Sequence, residues 1–159
     1  MANTLAKPEV GKMYIHKENF GKNYARECLY VNMGAEMINL FVYGTLKHGY
    51  WNNHILTSAH GVLKGDYLAY NYTLVQQGVP AALPEYGSTI SGEVWTFPDN
   101  TVLKKTDWLE SEGEYYIRKE IEVYLRVEAP VQPVHTYIYL GSPKHWNLSL
   151  NRCRMDDDG

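Results

Sequence analysis

Glu110 is a carboxylate that could give and take a proton inside the fold. It falls near the end of a predicted helix that Asp99 caps and that stops before Gly113. With about 100° between successive residues, Glu110 lies between Leu103 and Thr106 on the helical wheel, on the inward side. Burial there would raise its pKa toward the range in which a carboxyl accepts and returns protons. Alternatively, the helix ends at this residue and the carboxylate reaches water.

A glycine turn follows an early strand and could bind an anion. Residues 38–43 form an apolar run rich in β-formers that stops at Gly44, which predicts a buried strand. Gly44 permits a positive φ and a close approach by a ligand. Successive backbone N–H groups in such a turn can hold a carboxylate or an oxyanion. Most Gly-Thr turns only reverse the chain, and the P-loop pattern is absent, so the turn alone does not define a site.

Other arrangements known to support catalysis are absent from the sequence. It contains no HExxH, no CxxC pair and no GxSxG, and its six histidines show no ligand spacing. His48 and His54 flank the glycine turn, where a surface or supporting role is the simpler interpretation. Cys28 and Cys153 have no base nearby in sequence, and we expect free thiols in a reducing compartment. We therefore expect neither a metal centre nor a thiol nucleophile.

Composition limits the classes of partner. The chain has 159 residues, of which 45% are hydrophobic and 21% charged, as in a single globular domain. The formal net charge is -3 and no Lys/Arg block occurs, which argues against a nucleic-acid or anionic-membrane surface. No apolar run approaches the roughly 18 residues that span a bilayer, and the N-terminus lacks a signal-like apolar region. We expect a cytoplasmic protein.

The order of predicted elements favours an α+β fold. Strands and helices do not alternate regularly, so a mixed or antiparallel sheet, open or closed into a barrel, fits better than a doubly wound parallel sheet. After the strand at 38–43 we expect a short helix at 52–56, strands at 60–67 and 70–75, a loop at 76–87, a strand at 89–97, the long helix, and strands at 115–127 and 135–140.

The natural start of this domain is near residue 37, so we divide the chain into 37–159 and an N-terminal extension, 1–36, of unknown role. The extension could add to the sheet or cover a surface. Alternatively, it could be a regulatory arm or form an oligomer.

Four segments resemble the γ-glutamylcyclotransferase-like superfamily, and in particular its γ-glutamylamine cyclotransferase type. They are FVYGTLKHGYWNNHIL at 41–56, GVPAALP at 78–84, SGEVWTF at 91–97 and TDWLESEGEYYIRKEIEV at 106–123. The first and the last are specific in combination, and the other two support them. The resemblance covers about residues 38–140 and leaves the extension unexplained.

The resemblance implies a fold and a set of site residues. The fold is a small mixed β-barrel with a few short helices and a cavity at one mouth. Glu110 matches the family's catalytic glutamate, whereas Thr106 replaces a leucine that is usual there, and Glu112 is a competing assignment. The substrate-binding residues that the resemblance implies are Tyr43, Gly44, Thr45, Leu46, Asn53, Gly78, Pro80 and Tyr116.

The resemblance also implies an activity. An enzyme of this kind releases 5-oxoproline and a free amine from a γ-glutamyl amine or peptide, with no metal or organic cofactor, and Glu110 would act as general acid/base. One alternative is a non-catalytic protein that binds a small molecule in the same cavity. Another is an interaction module whose extension, residues 1–36, is the working part.

Overall fold

The computed structural model of the protein describes residues 37–149 and the backbone of residues 151–152. Ile38–Phe97 and the described residues from Thr101 onward belong to one compact unit. The extension at 1–36, together with Cys28 and Cys153, lies outside the described residues, so the expectations about its role and about free thiols stay predictions. None of the helices in the described part of the chain is long and apolar enough to cross a bilayer.

Two helices and six strands make up the described unit, in an order that agrees with the predicted one except in its middle and in a short last strand, which the sequence did not predict. They are β1 (Ile38–Val42), α1 (His54–Ser58), β2 (Val62–Gln77), β3 (Val79–Phe97), α2 (Thr101–Glu110), β4 (Tyr116–Leu125), β5 (Val134–Gly141) and β6 (Asn151–Arg152).

The strands close into a mixed barrel, which confirms the predicted α+β class. Antiparallel pairing joins β1 to β3, β3 to β2, β2 to β4 and β4 to β5. The circle is completed where β5 runs parallel to β1, with Leu40 opposite Tyr137. The short β6 pairs with the far end of β2. Closure leaves no free edge among the five barrel strands, and the two mouths are the places where turns and helix ends can build a site.

The prediction of a loop at 76–87 is wrong. Most of it belongs to a long hairpin of β2 and β3, with Leu74 opposite Ala82 and the reversal at Gly78, whose φ is +80°. The prolines and glycines suggested irregular structure, but Ala81 and Ala82 are fully buried, and their packing outweighs the local preference. The predicted gap between strands 60–67 and 70–75 is likewise absent, since β2 continues through it with irregular pairing near Tyr70.

The helix α2 is held against the barrel by its apolar face. Val102 and Leu103 are almost completely buried in the same core cluster as Leu40 and Leu46. Burying each such side chain contributes roughly 1.5–3 kcal/mol. This packing fixes the last turn of α2, and with it Glu110, at the end of the barrel where the turn after β1 lies.

Candidate active site

A cavity of about 250 Å³ brings together the turn after β1, the tip of the β2–β3 hairpin and the end of α2. Glu110 and the glycine turn, which are far apart in sequence, both border it. Its lining consists of Phe41, Val42, Tyr43, Gly44, Thr45, Leu46, Asn52, Val79, Pro80, Leu109, Glu110, Tyr116 and Tyr139. The lining is mainly apolar, as expected of a small-molecule site with a few polar groups.

The turn after β1 presents unpaired backbone donors. Its carbonyl groups are engaged: the N–H of Asn52 donates to the Thr45 carbonyl at 2.9 Å, and Asn53 Nδ2 donates to the Leu46 carbonyl at 2.8 Å. By contrast, the N–H groups of Gly44, Thr45 and Leu46 donate to no acceptor within residues 37–149. Consecutive free N–H groups beside a cavity can bind an anion.

Gly44 is not required by the backbone of the turn. Its φ is not in the left-handed region, and a Cβ built on it would meet no atom within 4 Å. A larger residue could therefore fold here without strain. Of the two reasons that the sequence offered for this glycine, a positive φ is wrong, and close approach by a ligand stays a prediction, with which the open space beside Gly44 is compatible.

The carboxyl group of Glu110 is half-buried at the end of α2. Burial raises its pKa to about 7, because water solvates the charged form better than the cavity does. The charge of Glu110 adds to the effect of burial in raising the pKa of Tyr116. Within residues 37–149 the carboxylate makes no hydrogen bond or ion pair. A carboxyl group with this pKa can accept a proton and return it near neutral pH.

Glu112, the competing acid, lies in a different environment. Its side chain is exposed and does not border this cavity. One of its oxygens accepts from the N–H of Arg118 at 3.3 Å. It has no part in the cavity that Glu110 borders.

A polar network holds α2 one turn before Glu110. Arg118 Nη1 lies 3.0 and 3.2 Å from the two carboxylate oxygens of Asp107, and the Tyr139 hydroxyl donates to Asp107 Oδ1 at 2.6 Å. The hydroxyl of the fully buried Thr106 lies 2.6 Å from that of Tyr139. Burial, followed by the hydrogen bond to Asp107, raises the pKa of Tyr139. The network ties α2 to β4 and β5 and limits the positions that Glu110 can take.

The structure brings together most of the residues that the sequence singled out. Tyr43, Gly44, Thr45, Leu46, Pro80, Tyr116 and Glu110 all border the cavity. Asn53 and Gly78 do not: Asn53 holds the Leu46 carbonyl, and Gly78 forms the hairpin turn. Asn52, in place of its neighbour, borders the cavity and donates from Nδ2 to Thr45 Oγ1 at 2.9 Å.

Sequence reasoning missed the network around Asp107. Thr106 drew notice as an inward position on the helical wheel and as a departure from a usual leucine, and the structure shows that its hydroxyl has a partner on Tyr139. Opposite charges at Asp107 and Arg118, both within one motif-like segment, were the available signal. Three further residues that border the cavity were not singled out as site residues, because apolar and aromatic residues occur throughout the sequence: Val79, Leu109 and Tyr139.

Comparison with known proteins gives one family. The family model "Gamma-glutamyl cyclotransferase, AIG2-like" matches residues 40–153. The gamma-glutamylcyclotransferase family protein YtfP of Escherichia coli (strain K12) is 40% identical over 86 residues, which cover 54% of this chain and 73% of that protein.

Solved structures share the fold. The crystal structure of an AIG2-like protein from Mus musculus gives a TM-score of 0.58 at 22% identity, over 75% of this chain and 97% of that one. YkqA from Bacillus subtilis gives 0.55 at 23% identity, over 74% and 38% of the two chains. At these sequence identities the comparison shows a shared fold, namely the barrel and its helices.

Proposed function

Because this chain belongs to the gamma-glutamyl cyclotransferase, AIG2-like family, we propose that it converts a γ-glutamyl amine or peptide into 5-oxoproline and a free amine. One observation carries the proposal: a carboxyl group with a pKa of about 7 shares a cavity with a turn whose backbone donors are free. The first can transfer a proton, and the second can hold the glutamyl carboxylate.

The reaction is an intramolecular attack of the substrate's α-amine on its own γ-carbonyl carbon. A new carbon–nitrogen bond closes the five-membered ring, and the bond to the leaving nitrogen breaks. Glu110, as the carboxylate, takes a proton from the attacking nitrogen and, as the acid, gives it to the leaving nitrogen. The proton count balances without a co-reactant. General acid–base catalysis of this kind contributes about 10²–10⁴-fold.

The turn at residues 44–46 would fix the substrate's α-carboxylate. The lining of the cavity contains no lysine or arginine among the described residues, so the donors available to an anion there are uncharged groups, among them the free backbone N–H groups of the turn. Holding the carboxylate leaves the α-amine free to fold back on the γ-carbonyl. Well-oriented ring closures reach effective molarities of about 10⁵ M or more, so positioning supplies much of the rate.

The activity is tested by incubating the purified protein with γ-glutamyl amines and γ-glutamyl peptides and measuring 5-oxoproline by mass spectrometry. The matched control is the same substrate acetylated on its α-amine, which can occupy the cavity but has no nucleophile. We expect product from the free amine alone. Binding of both compounds without product would support the alternative, a small-molecule binding protein that uses the same cavity.

Replacing Gly44 with alanine should lower kcat/KM for a γ-glutamyl substrate by about tenfold to a hundredfold, since displacement of a substrate by an ångström has effects of this size. The fold should be unaffected, because the added methyl group meets no protein atom within 4 Å. Steady-state kinetics and urea unfolding measure the two effects.

Gly49→Ala serves as the control, because Gly49 has a φ of +83° and borders no cavity described here. That variant should lose about 1–2 kcal/mol of stability with little change in KM. Normal kinetics in Gly44→Ala would show that no ligand approaches the turn closely.

A further inference from the structure

A second cavity adjoins the first at Glu110. Its volume is about 240 Å³, and it shares Val79, Leu109, Glu110 and Tyr116 with the first cavity. Its remaining lining residues are Gln77, Ser111, Tyr115, His145 and Trp146. Glu110 therefore borders two adjoining spaces, whereas the turn with free N–H groups borders only the first.

This arrangement matches the two halves of a γ-glutamyl amine. The proposed reaction requires one carboxyl group to reach both the attacking and the leaving nitrogen. With the glutamyl half held at residues 44–46, the leaving amine extends past Glu110. The second cavity is the adjoining space that Glu110 also borders.

Aromatic rings form much of the second cavity's wall. The Tyr115 and His145 rings are stacked with their centroids 4.2 Å apart, and those of Tyr116 and Trp146 are 4.8 Å apart. Trp146 is buried within the core cluster, so this wall is anchored. Rings that are already packed against one another offer a preformed surface for a flat apolar group.

Charges beside the second cavity are paired with one another. Glu114 accepts from Lys144 Nζ at 3.1 Å and lies 3.1 Å from His145 Nε2, and neither Glu114 nor Lys144 borders the cavity. His145, which does border it, is therefore already matched by Glu114. An ionised substituent on the leaving amine would find no unpaired opposite charge here among the described residues, apart from Glu110, which the reaction uses. Burying such a charge is costly.

We propose that the second cavity is the leaving-group subsite and that it selects amines carrying an uncharged, flat, apolar ring, so that γ-glutamyl arylalkylamines are the preferred substrates. The inference rests on the proposed cyclotransferase function. The volume is adequate, since an apolar cavity of about 150 Å³ accommodates benzene. The products are 5-oxoproline and the free arylalkylamine, with the proton transferred through Glu110 as above.

Three substrates that differ only in the leaving amine test the subsite: γ-glutamylbenzylamide, γ-glutamylglycine and γ-glutamyl-4-aminobutylamide, which present a ring, an anion and a cation. We expect kcat/KM for the benzylamide to exceed the other two on the order of tenfold, from ring burial and ring–ring contact. Equal rates, or faster release of a charged amine, would overturn the subsite and leave the cyclotransferase function intact. No 5-oxoproline from any of the three would overturn the function and the subsite together.

Tyr115→Ala tests the wall itself, because Tyr115 is 47% exposed and lies outside the buried core. The ratio of kcat/KM for the benzylamide to that for γ-glutamylglycine should fall severalfold, with the thermal midpoint confirming that the variant is folded. Tyr86→Ala is the matched control, since Tyr86 is 95% exposed and borders neither cavity. It should leave the ratio unchanged. An unchanged ratio in Tyr115→Ala would also overturn the subsite.

Discussion

Glu110→Gln should lower kcat for 5-oxoproline release by about 10²–10⁴-fold, the usual contribution of general acid–base catalysis. The amide has nearly the shape of the carboxyl group but cannot accept the proton of the attacking nitrogen. The fold should survive, because the carboxylate makes no hydrogen bond or ion pair within residues 37–149. Single-turnover kinetics with a γ-glutamyl amine, together with far-ultraviolet circular dichroism, would measure both effects.

Glu112→Gln is the matched control, since it makes the same chemical change two residues away on an exposed side chain. It should leave kcat close to that of the wild type. Turnover that is unchanged in Glu110→Gln, or reduced equally in both variants, would remove Glu110 from the mechanism proposed here.

The pH dependence of stability gives a second measurement on the same variant. The folded-state pKa of Glu110, about 7, lies above its ordinary value of 4.5. At a pH below the ordinary pKa, the neutral carboxyl group therefore stabilises the folded protein. This stabilisation is lost as the pH rises through about 7. The amide of Glu110→Gln does not ionise. The free energy of unfolding of the Glu110→Gln variant minus that of the wild type should therefore increase between about pH 5 and about pH 8, by a few kcal/mol at most. A constant difference would show that Glu110 is well solvated.

Local patterns were sufficient to predict the elements that carry the site. The apolar run of β1 placed Gly44 directly after a buried strand. The helical wheel of α2 placed Glu110 near the end of a helix with one buried face, but it left open whether the carboxyl group faces inward or reaches water. The hairpin was missed because its prolines and glycines favour a loop, and only contacts with the rest of the barrel make Ala81 and Ala82 a buried strand. Those contacts depend on residues far away in sequence.

The chemistry between elements was beyond single-sequence reasoning for a related reason. Asp107 meets Tyr139 across 32 positions of the chain, and nothing in the residues around either one signals the pair. The second cavity joins Gln77 on the hairpin, Ser111 after α2 and Trp146 after β5, so its walls come from three separate segments. Such sites depend on the closure of the barrel, which the sequence pattern left open.

Tyr43→Phe should reduce the free energy of unfolding by about 1–3 kcal/mol, the cost of leaving a buried polar group without its partner. Tyr43 is 7% exposed, and its hydroxyl accepts from the N–H of Ala82 at 3.1 Å while donating to the Tyr139 carbonyl at 2.5 Å. It thus bridges β3 and β5, which otherwise pair only at Ala82 and Leu140. Phenylalanine keeps the ring and loses both bonds. Urea unfolding of the variant and the wild type measures the difference.

Tyr70→Phe removes the same hydroxyl from a ring that is 47% exposed, and it should change stability by no more than about 0.5 kcal/mol. The comparison separates two roles for Tyr43, which also borders the cavity beside Glu110. A bridging hydroxyl predicts loss of stability, with kinetics largely retained well below the melting temperature. A substrate-binding hydroxyl predicts unchanged unfolding and a raised KM. The second result would contradict the bridge, because a hydroxyl released to a ligand cannot at the same time be the partner on which the Ala82 N–H depends.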